Sequence, residues 1–434
     1  MAGARRSWAA GRARSSLPAR APPVDTQKSS WKRSGRIFDV LICDRPRSTI
    51  KNLKSPIPLM STQIRKDVLG KARSVVIKVG SQLMTSISTG GSDLDIDYLR
   101  DMARQIVELR ARRVQVTLVS SGAIAAGCAE MGLERRPRDV ADQQAVAAVG
   151  QRRLMTHLHD AFAPHGLKVA QLLLTRGDFD DRDRFLNIRN CVGHLHRRDC
   201  LPVINENDTV AVEELRFGDN DLLAALTCNA LRADALVLLT VVDGLLDDQG
   251  NTVDPVEDIG SVLGMARAQV STLGTGGMIT KLEAARLVTE AGEIAVVADG
   301  RVPDVLARLF AAEPLGTIFV PARRKLDSRS RWIGLTKRAA GTVTVDAGAA
   351  AALSRRGKSL LASGITGTTG QFERGEVVLI RDDAGREIAR GLTNYNADEL
   401  RLIMGKRSNQ FQKVLHRPAY DEVVHRDNLV VVSR

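Results

Sequence analysis

The chain has 434 residues, 44% hydrophobic and 26% charged, enough for two or three domains with sizeable cores. It contains no run of 18 apolar residues, which excludes a helical membrane span, and its five scattered cysteines form no C-x-x-C pair, which fits a reducing cytoplasm better than a disulfide framework or zinc site. The formal charge of +13 is uneven: residues 1–59 hold 13 Lys/Arg against 3 Asp/Glu, residues 341–434 hold 14 against 11, and the stretch between is balanced.

Residues 1–66 read as a disordered basic extension, rich in Arg, Ser, Ala and Pro and without apolar periodicity. Three readings of it compete: an organelle transit peptide, a basic tail for nucleic acid, or sequence upstream of a true initiator at Met60. The last is favoured, because the globular pattern begins just after Met60.

From about residue 73, short apolar runs alternate with amphipathic stretches. Strands are predicted at 74–79, 114–120, 167–174, 201–205, 235–240 and 293–298, and helices at 94–112, 141–162, 182–197, 220–231 and 278–290. This alternation predicts an α/β domain over 67–322, an open, mostly parallel sheet sandwiched by helices. Ligands of such sheets bind beyond the carboxyl ends of the strands. Residues 323–340 are charged and irregular and read as a linker. From 341 to 434 the segments shorten, with turns close together, which predicts a small β-rich domain.

Four motifs fall at predicted strand ends or helix starts. In V-I-K-V-G-S (76–81), Lys78 interrupts an apolar strand, where an unpaired ammonium is costly to bury. Gly80 and Ser81 follow, where a phosphate could approach the backbone. An edge-strand lysine facing solvent fits the same pattern. S-S-G-A-I-A-A-G (120–127) opens a helix with small residues, suiting either an anion site or a tight strand-to-helix turn. N-E-N-D-T-V (205–210) and G-D-N-D (218–221) cluster acids and amides that could bind an amino group, order lysines or hold Mg²⁺; a solvated loop is the bland alternative. L-G-T-G-G-M-I-T-K (273–281) sets Lys281 one turn into a helix after a glycine-rich approach, and is no Walker A motif. A glycine hinge is its alternative. Taken in this order, two lysines and two glycine-rich turns with acid and amide loops between them describe a phosphoryl-transfer site unlike that of P-loop or protein kinases.

These residues resemble the glutamate 5-kinases of the amino acid kinase family over about 72–434. The likeness lies in VVIKVGS, SSGAIAAG, AAVGQ, LLLTRGDFDDRDRFLN, PVINENDTVA, FGDNDLLAA, LGTGGMITK and VVHRDNL. It implies an amino acid kinase fold followed by a PUA-like barrel domain. The implied activity is ATP-dependent phosphorylation of the γ-carboxylate of L-glutamate, the first step of proline biosynthesis, with Mg²⁺ on the nucleotide phosphates. Lys78, Lys281 and Asp221 are the implied catalytic set. Ser121, Asp208 and Asn220 would hold glutamate, with Asp208 as partner of the ammonium group. Gly80, Ser81, Thr240, Val241, Thr275, Gly276, Gly277, Met278, Ile279 and Thr280 would join the two lysines around ATP. One departure bears on the adenine and ribose contacts: Val241 stands where many relatives carry an acid.

The resemblance also implies a cytoplasmic homo-oligomer, and the labile acyl phosphate product suits direct delivery to a γ-glutamyl phosphate reductase. Two alternatives remain at this point. One is a sister acid kinase acting on acetylglutamate, aspartate or carbamate. The other is an RNA-binding protein using the β-rich domain and the basic tail, for which the +3 of residues 341–434 is a small charge.

Overall fold

A computed structural model describes residues 57–88, 91–211, 220–268, 277–321, 325–417 and 419–432. The first part of the chain forms α1 (Ile57–Val68), β1 (Ser74–Val79), α2 (Ser81–Met84), β2 (Thr85–Ser88), β3 (Gly91–Leu94), α3 (Ile96–Ala111) and β4 (Gln115–Val119). It continues with α4 (Ala123–Glu130), α5 (Val140–Phe162), β5 (Lys168–Leu174), α6 (Arg176–Asp180), α7 (Arg182–Arg197) and β6 (Cys200–Glu206). Then come α8 (Asn220–Leu231), β7 (Ala235–Thr240), α9 (Ile259–Ala268), α10 (Met278–Glu290), β8 (Ile294–Asp299), α11 (Val305–Phe310) and β9 (Thr317–Phe319).

Seven strands form one sheet in the order β5-β6-β4-β1-β7-β8-β9, parallel throughout except for β8–β9. This is the mostly parallel sheet the alternation predicts. Side chains alternate across each strand, and both faces are covered. In β1, Val75, Ile77 and Val79 enter the core shared with α3 and α5, while Val76 enters the core shared with α7, α8 and α10. The same period places Lys78 on the face of Val76. Since β1 lies between β4 and β7, Lys78 is no edge-strand lysine.

Local chemistry sets the element ends. Asp95, Asp139 and Asp181 cap α3, α5 and α7 by accepting from backbone N–H groups of the first turn. Gly122 adopts φ +95° where the chain turns from β4 into α4. The helix it starts then crosses α5 in backbone contact. A Cβ on Gly127 would lie 2.0 Å from the Val146 carbonyl oxygen, and one on Gly150 would lie 1.9 Å from that of Ala123. The small residues of 120–127 therefore serve a packing need.

Two stretches differ from their expected character. Residues 1–56 lie outside the described residues, but 57–66, expected within the extension, belong to α1. Arg65 of α1 is fully buried and bonds Asp254 at 2.8 Å and the carbonyls of Leu315 (2.9 Å) and Gly316 (3.0 Å). Its guanidinium can be buried because fixed acceptors surround it.

The expected linker likewise packs. It forms α12 (Ser328–Arg331) and a π-helix (Trp332–Thr336). Trp332 donates from Nε1 to the Phe179 carbonyl at 3.0 Å, and Arg182 and Lys337 each lie 5.4 Å from its ring centroid. Arg331 is fully buried and paired with Glu293. A charge-rich stretch looked solvated in sequence because its cations carry apolar stems and found partners here.

The remaining chain forms β10 (Gly341–Val345), α13 (Ala347–Arg356), β11 (Ile365–Gly370), β12 (Val377–Asp382), β13 (Glu387–Leu392), α14 (Ala397–Ile403), α15 (Phe411–Leu415) and β14 (Leu429–Val431). Its five strands make a second, mixed sheet in the order β11-β10-β12-β13-β14 around its own core, which includes Val343, Ile380, Tyr395 and Phe411. Val377, at the start of β12, is buried instead in the cluster that includes Phe179, Phe185 and Trp332.

Candidate active site

The candidate residues converge at the carboxyl ends of four adjacent strands, β6, β4, β1 and β7. Lys78 is the penultimate residue of β1, Ser121 follows β4, Asn205 and Glu206 end β6, and Thr240 ends β7. Helices α8 and α10 cover that face and deliver Asn220, Asp221 and Lys281 from their first turns.

Asp221 is the hub. It is completely buried, with Lys78 Nζ at 2.5 Å from one carboxylate oxygen and Lys281 Nζ at 3.0 Å from the other. The Thr280 hydroxyl lies 3.1 Å from the second oxygen and 2.8 Å from the Gly277 carbonyl. Burial alone would raise the Asp221 carboxyl pKa. The two ammonium groups outweigh it and hold the carboxyl below the usual carboxylate range. Two cations on one anion leave a net positive charge, which favours a phosphate beside them.

A network of amides runs from this hub toward β6. Asn220 Nδ2 lies 2.7 Å from the Ser120 carbonyl, 2.9 Å from Asn205 Oδ1 and 3.2 Å from Ser121 Oγ. Asn205 Oδ1 also accepts from the Glu206 backbone N–H at 3.0 Å, and Asn205 Nδ2 donates to Gln151 Oε1 at 2.8 Å. Gln151, Glu206, Asn207 and Asp208 line a cavity of about 680 Å³ between α5 and the β5–β6 edge. Burial raises the Asp208 carboxyl to about 6, against the opposing pull of Arg136.

Several sequence expectations meet their neighbours here. Lys78, Lys281, Asp221 and Thr280 come together, as do Ser121 and Asn220, and Asp208 sits on the cavity wall. Gly80 departs from its expected role. Its N–H donates to the Leu239 carbonyl at 3.1 Å, extending the β1–β7 ladder, so it does not offer that donor to a phosphate. Ser81 is exposed at the start of α2, and Gly277 caps the start of α10. Met278 buries its side chain in the core, whereas Ile279 is exposed. Thr240 is half-buried, and its carbonyl accepts from the Gly300 N–H at 2.8 Å. The Val241 side chain packs on the core, and its carbonyl accepts from Arg301 Nη2 at 2.8 Å. Thr275 and Gly276 lie outside the described residues.

Gln151, Asn205 and Arg301 had no assigned role in the sequence reading. A signal existed for the first two: each is an amide in an otherwise apolar stretch, A-A-V-G-Q and L-P-V-I-N. Arg301 carried none, since an arginine after a strand is ordinary.

Comparison with known proteins bears on this geometry. The amino acid kinase family model matches residues 73–298, and a PUA domain model matches 341–415. A glutamate 5-kinase of Geobacter sulfurreducens is 43% identical over 376 residues, covering 85% of this chain and all of that protein. That of Syntrophotalea carbinolica is 45% identical with the same coverages, and that of Chromohalobacter salexigens 44% identical over 86% of this chain and 99% of its own. Among solved structures, a Giardia carbamate kinase aligns with a TM-score of 0.42 at 17% identity, covering 58% of this chain and 99% of that one. With the motif residues assembled around Asp221 and the match running from end to end of these relatives, the chain belongs to the amino acid kinase family and, within it, to the glutamate 5-kinases.

Proposed function

We infer that the chain transfers the γ-phosphoryl group of ATP to the γ-carboxylate of L-glutamate, giving γ-glutamyl phosphate and ADP in the first step of proline biosynthesis. The observation that carries this reading is the pairing of Lys78 and Lys281 on the buried Asp221, with Asn220, Asn205 and Gln151 hydrogen-bonded in a chain that ends in the wall of a cavity. The acceptor carboxylate is already ionised, so the reaction needs no general base. What it needs is alignment of two anions and neutralisation of charge on the transferring group.

Lys78 and Lys281 meet the phosphoryl oxygens, and Asp221 positions both ammonium groups by holding one on each carboxylate oxygen. A carboxylate engaged in this way is poorly placed to ligate a metal. Among the described residues, no cluster of three His, Cys, Asp or Glu could hold one. Mg²⁺ would come with the nucleotide, where it would neutralise charge on the phosphates. Asn220 and Ser121 hold the γ-carboxylate end of the substrate, and Asp208 takes its ammonium group. Among the described residues no helix is long and apolar enough to cross a membrane. The reading places the enzyme in the cytoplasm as a homo-oligomer. Its acyl phosphate hydrolyses readily in water, which favours delivery to a γ-glutamyl phosphate reductase.

The test is ADP release from Mg-ATP with L-glutamate, aspartate, acetylglutamate or no acceptor, with hydroxylamine present to trap acyl phosphate. Glutamate-dependent ADP with a hydroxamate product is expected. Turnover with a different acid alone would overturn the substrate and keep the phosphoryl site.

A further inference from the structure

We propose that Gln151 is a specificity-determining residue of the acceptor site, whose Nε2 donates to the α-carboxylate of the substrate. The proposal rests on the glutamate reading above and adds to it the group that reads the far end of the amino acid.

A backbone N–H fixes the orientation of the Gln151 amide. The Glu206 N–H can only donate, and it donates to the side-chain atom of Asn205 that is therefore Oδ1. The same atom accepts from Asn220 Nδ2. Asn205 must then present Nδ2 to Gln151, and Gln151 must answer with Oε1. The orientation of the Gln151 amide follows from this chain of bonds and not from a choice between two similar atoms.

Its other end is consequently a donor. Gln151 is 8% exposed, and its Nε2 is buried without a hydrogen-bond partner among the described residues. A buried amide donor left unmade is costly, so its retention in a cavity wall points to an acceptor that the described residues do not supply and a bound carboxylate can. The wall also carries Asp208, an acid suited to a cation. One donor and one acid together complement the α-carboxylate and α-ammonium of an amino acid.

Order along the network sets which end of the substrate lies here. From the phosphoryl site outward it runs Asp221, Asn220, Asn205, Gln151. The γ-carboxylate must reach the Asp221 end to receive the phosphoryl group, so the α-carboxylate lies toward Gln151.

Gln151→Glu is the informative variant, because it keeps an Oε1 acceptor for Asn205 while replacing the donor with a charge that repels a carboxylate. We expect it to raise KM for glutamate by at least about tenfold, with kcat within about threefold and KM for ATP unchanged. Gln151→Leu, which also releases Asn205, should raise the glutamate KM as well and lower kcat. The readout specific to this role is a ratio. In the wild type, glutamate outcompetes 4-aminobutyrate, which keeps the ammonium and the reacting carboxylate but lacks the α-carboxylate. In Gln151→Glu that preference, read as the ratio of the 4-aminobutyrate inhibition constant to the glutamate KM, should shrink by about tenfold. A Gln151→Glu enzyme with the wild-type glutamate KM and an unchanged ratio would overturn the proposal. If the wild type itself fails to turn over glutamate, the substrate reading falls instead. The variants are then compared on the acid it does accept, where an unaltered KM overturns the role of Gln151.

Discussion

The two ends of the proposed acceptor site handle charge in opposite ways. At the phosphoryl end, Asp221 is wholly buried, yet both of its oxygens are engaged and two lysines hold it ionised. At the cavity end, Asp208 is half-buried, its carboxyl is raised to about 6, and the neighbouring Gln151 has a donor without a partner among the described residues. The first end is organised before any ligand arrives, as electrostatic stabilisation of a transferring group requires. The second, in the reading proposed above, is completed by the bound amino acid, as recognition requires. Substitutions should therefore separate, with kcat moving at one end and KM for the acid at the other.

The largest effect expected is at the hub. Asp221→Ala takes the shared carboxylate away from two buried lysines and should cost about 3–5 kcal/mol of stability, read by denaturant unfolding, along with activity. An equally stable variant would mean that water already screens the pair. Next come Lys78→Ala and Lys281→Ala. Each should lower kcat by about 10²–10³-fold, by analogy with loss of one preorganised donor. Near-normal turnover in either would remove the phosphoryl role assigned to it.

At the other end the effect is smaller and pH-dependent. A carboxyl raised to about 6 is ionised above that pH and neutral below it. Only the ionised form can pair with an ammonium group. KM for glutamate should therefore rise as pH falls through 6, approaching about tenfold per pH unit, with kcat less affected. Asp208→Asn should show a raised KM with a flat profile over the same range. A wild-type KM that ignores pH between 5 and 7 would detach Asp208 from the substrate. The smallest effect sharpens the first end. Thr280→Val removes one hydroxyl from Asp221 and should lower kcat by about fivefold, with Thr280→Ser restoring it.

Much of this was legible in the chain, for reasons that can be named. β1 was clear because V-V-I-K-V is a short apolar run, and its lysine stood out as a charge that burial would have to explain. Helices α7, α8 and α10 have the predicted limits because apolar spacing and local composition agree there. The hairpin β2–β3 was not legible. Its strands are short and polar, and part of its hold is a 2.7 Å ion pair between Asp93 and Arg153 of α5. Nor was the role of Gly80 visible, because a glycine after a strand looks alike whether its N–H faces a phosphate or the next strand. Gln151 was present in a quoted motif, but its meaning depends on Asn205, more than fifty residues later in the chain. Contacts of that sequence separation leave no local trace.

The packed seam at Trp332 has a consequence for synthesis on the ribosome. The last strand of the first sheet, β9, ends at Phe319, so that sheet can close soon after this point emerges. One flank of the core on its second face cannot, although α7, α8 and α10 already cover most of that face. The cluster around Phe179 and Phe185 also takes in Trp332 and Val377, and Val430 packs against it. For the time needed to translate about a hundred further residues, at about 5–20 residues per second, that surface stays open to water and to other nascent chains. A chain that stalls or is cut before β12 would carry a closed kinase sheet with a sticky flank. Slower synthesis through residues 320–430 should lengthen that exposure and lower the soluble yield.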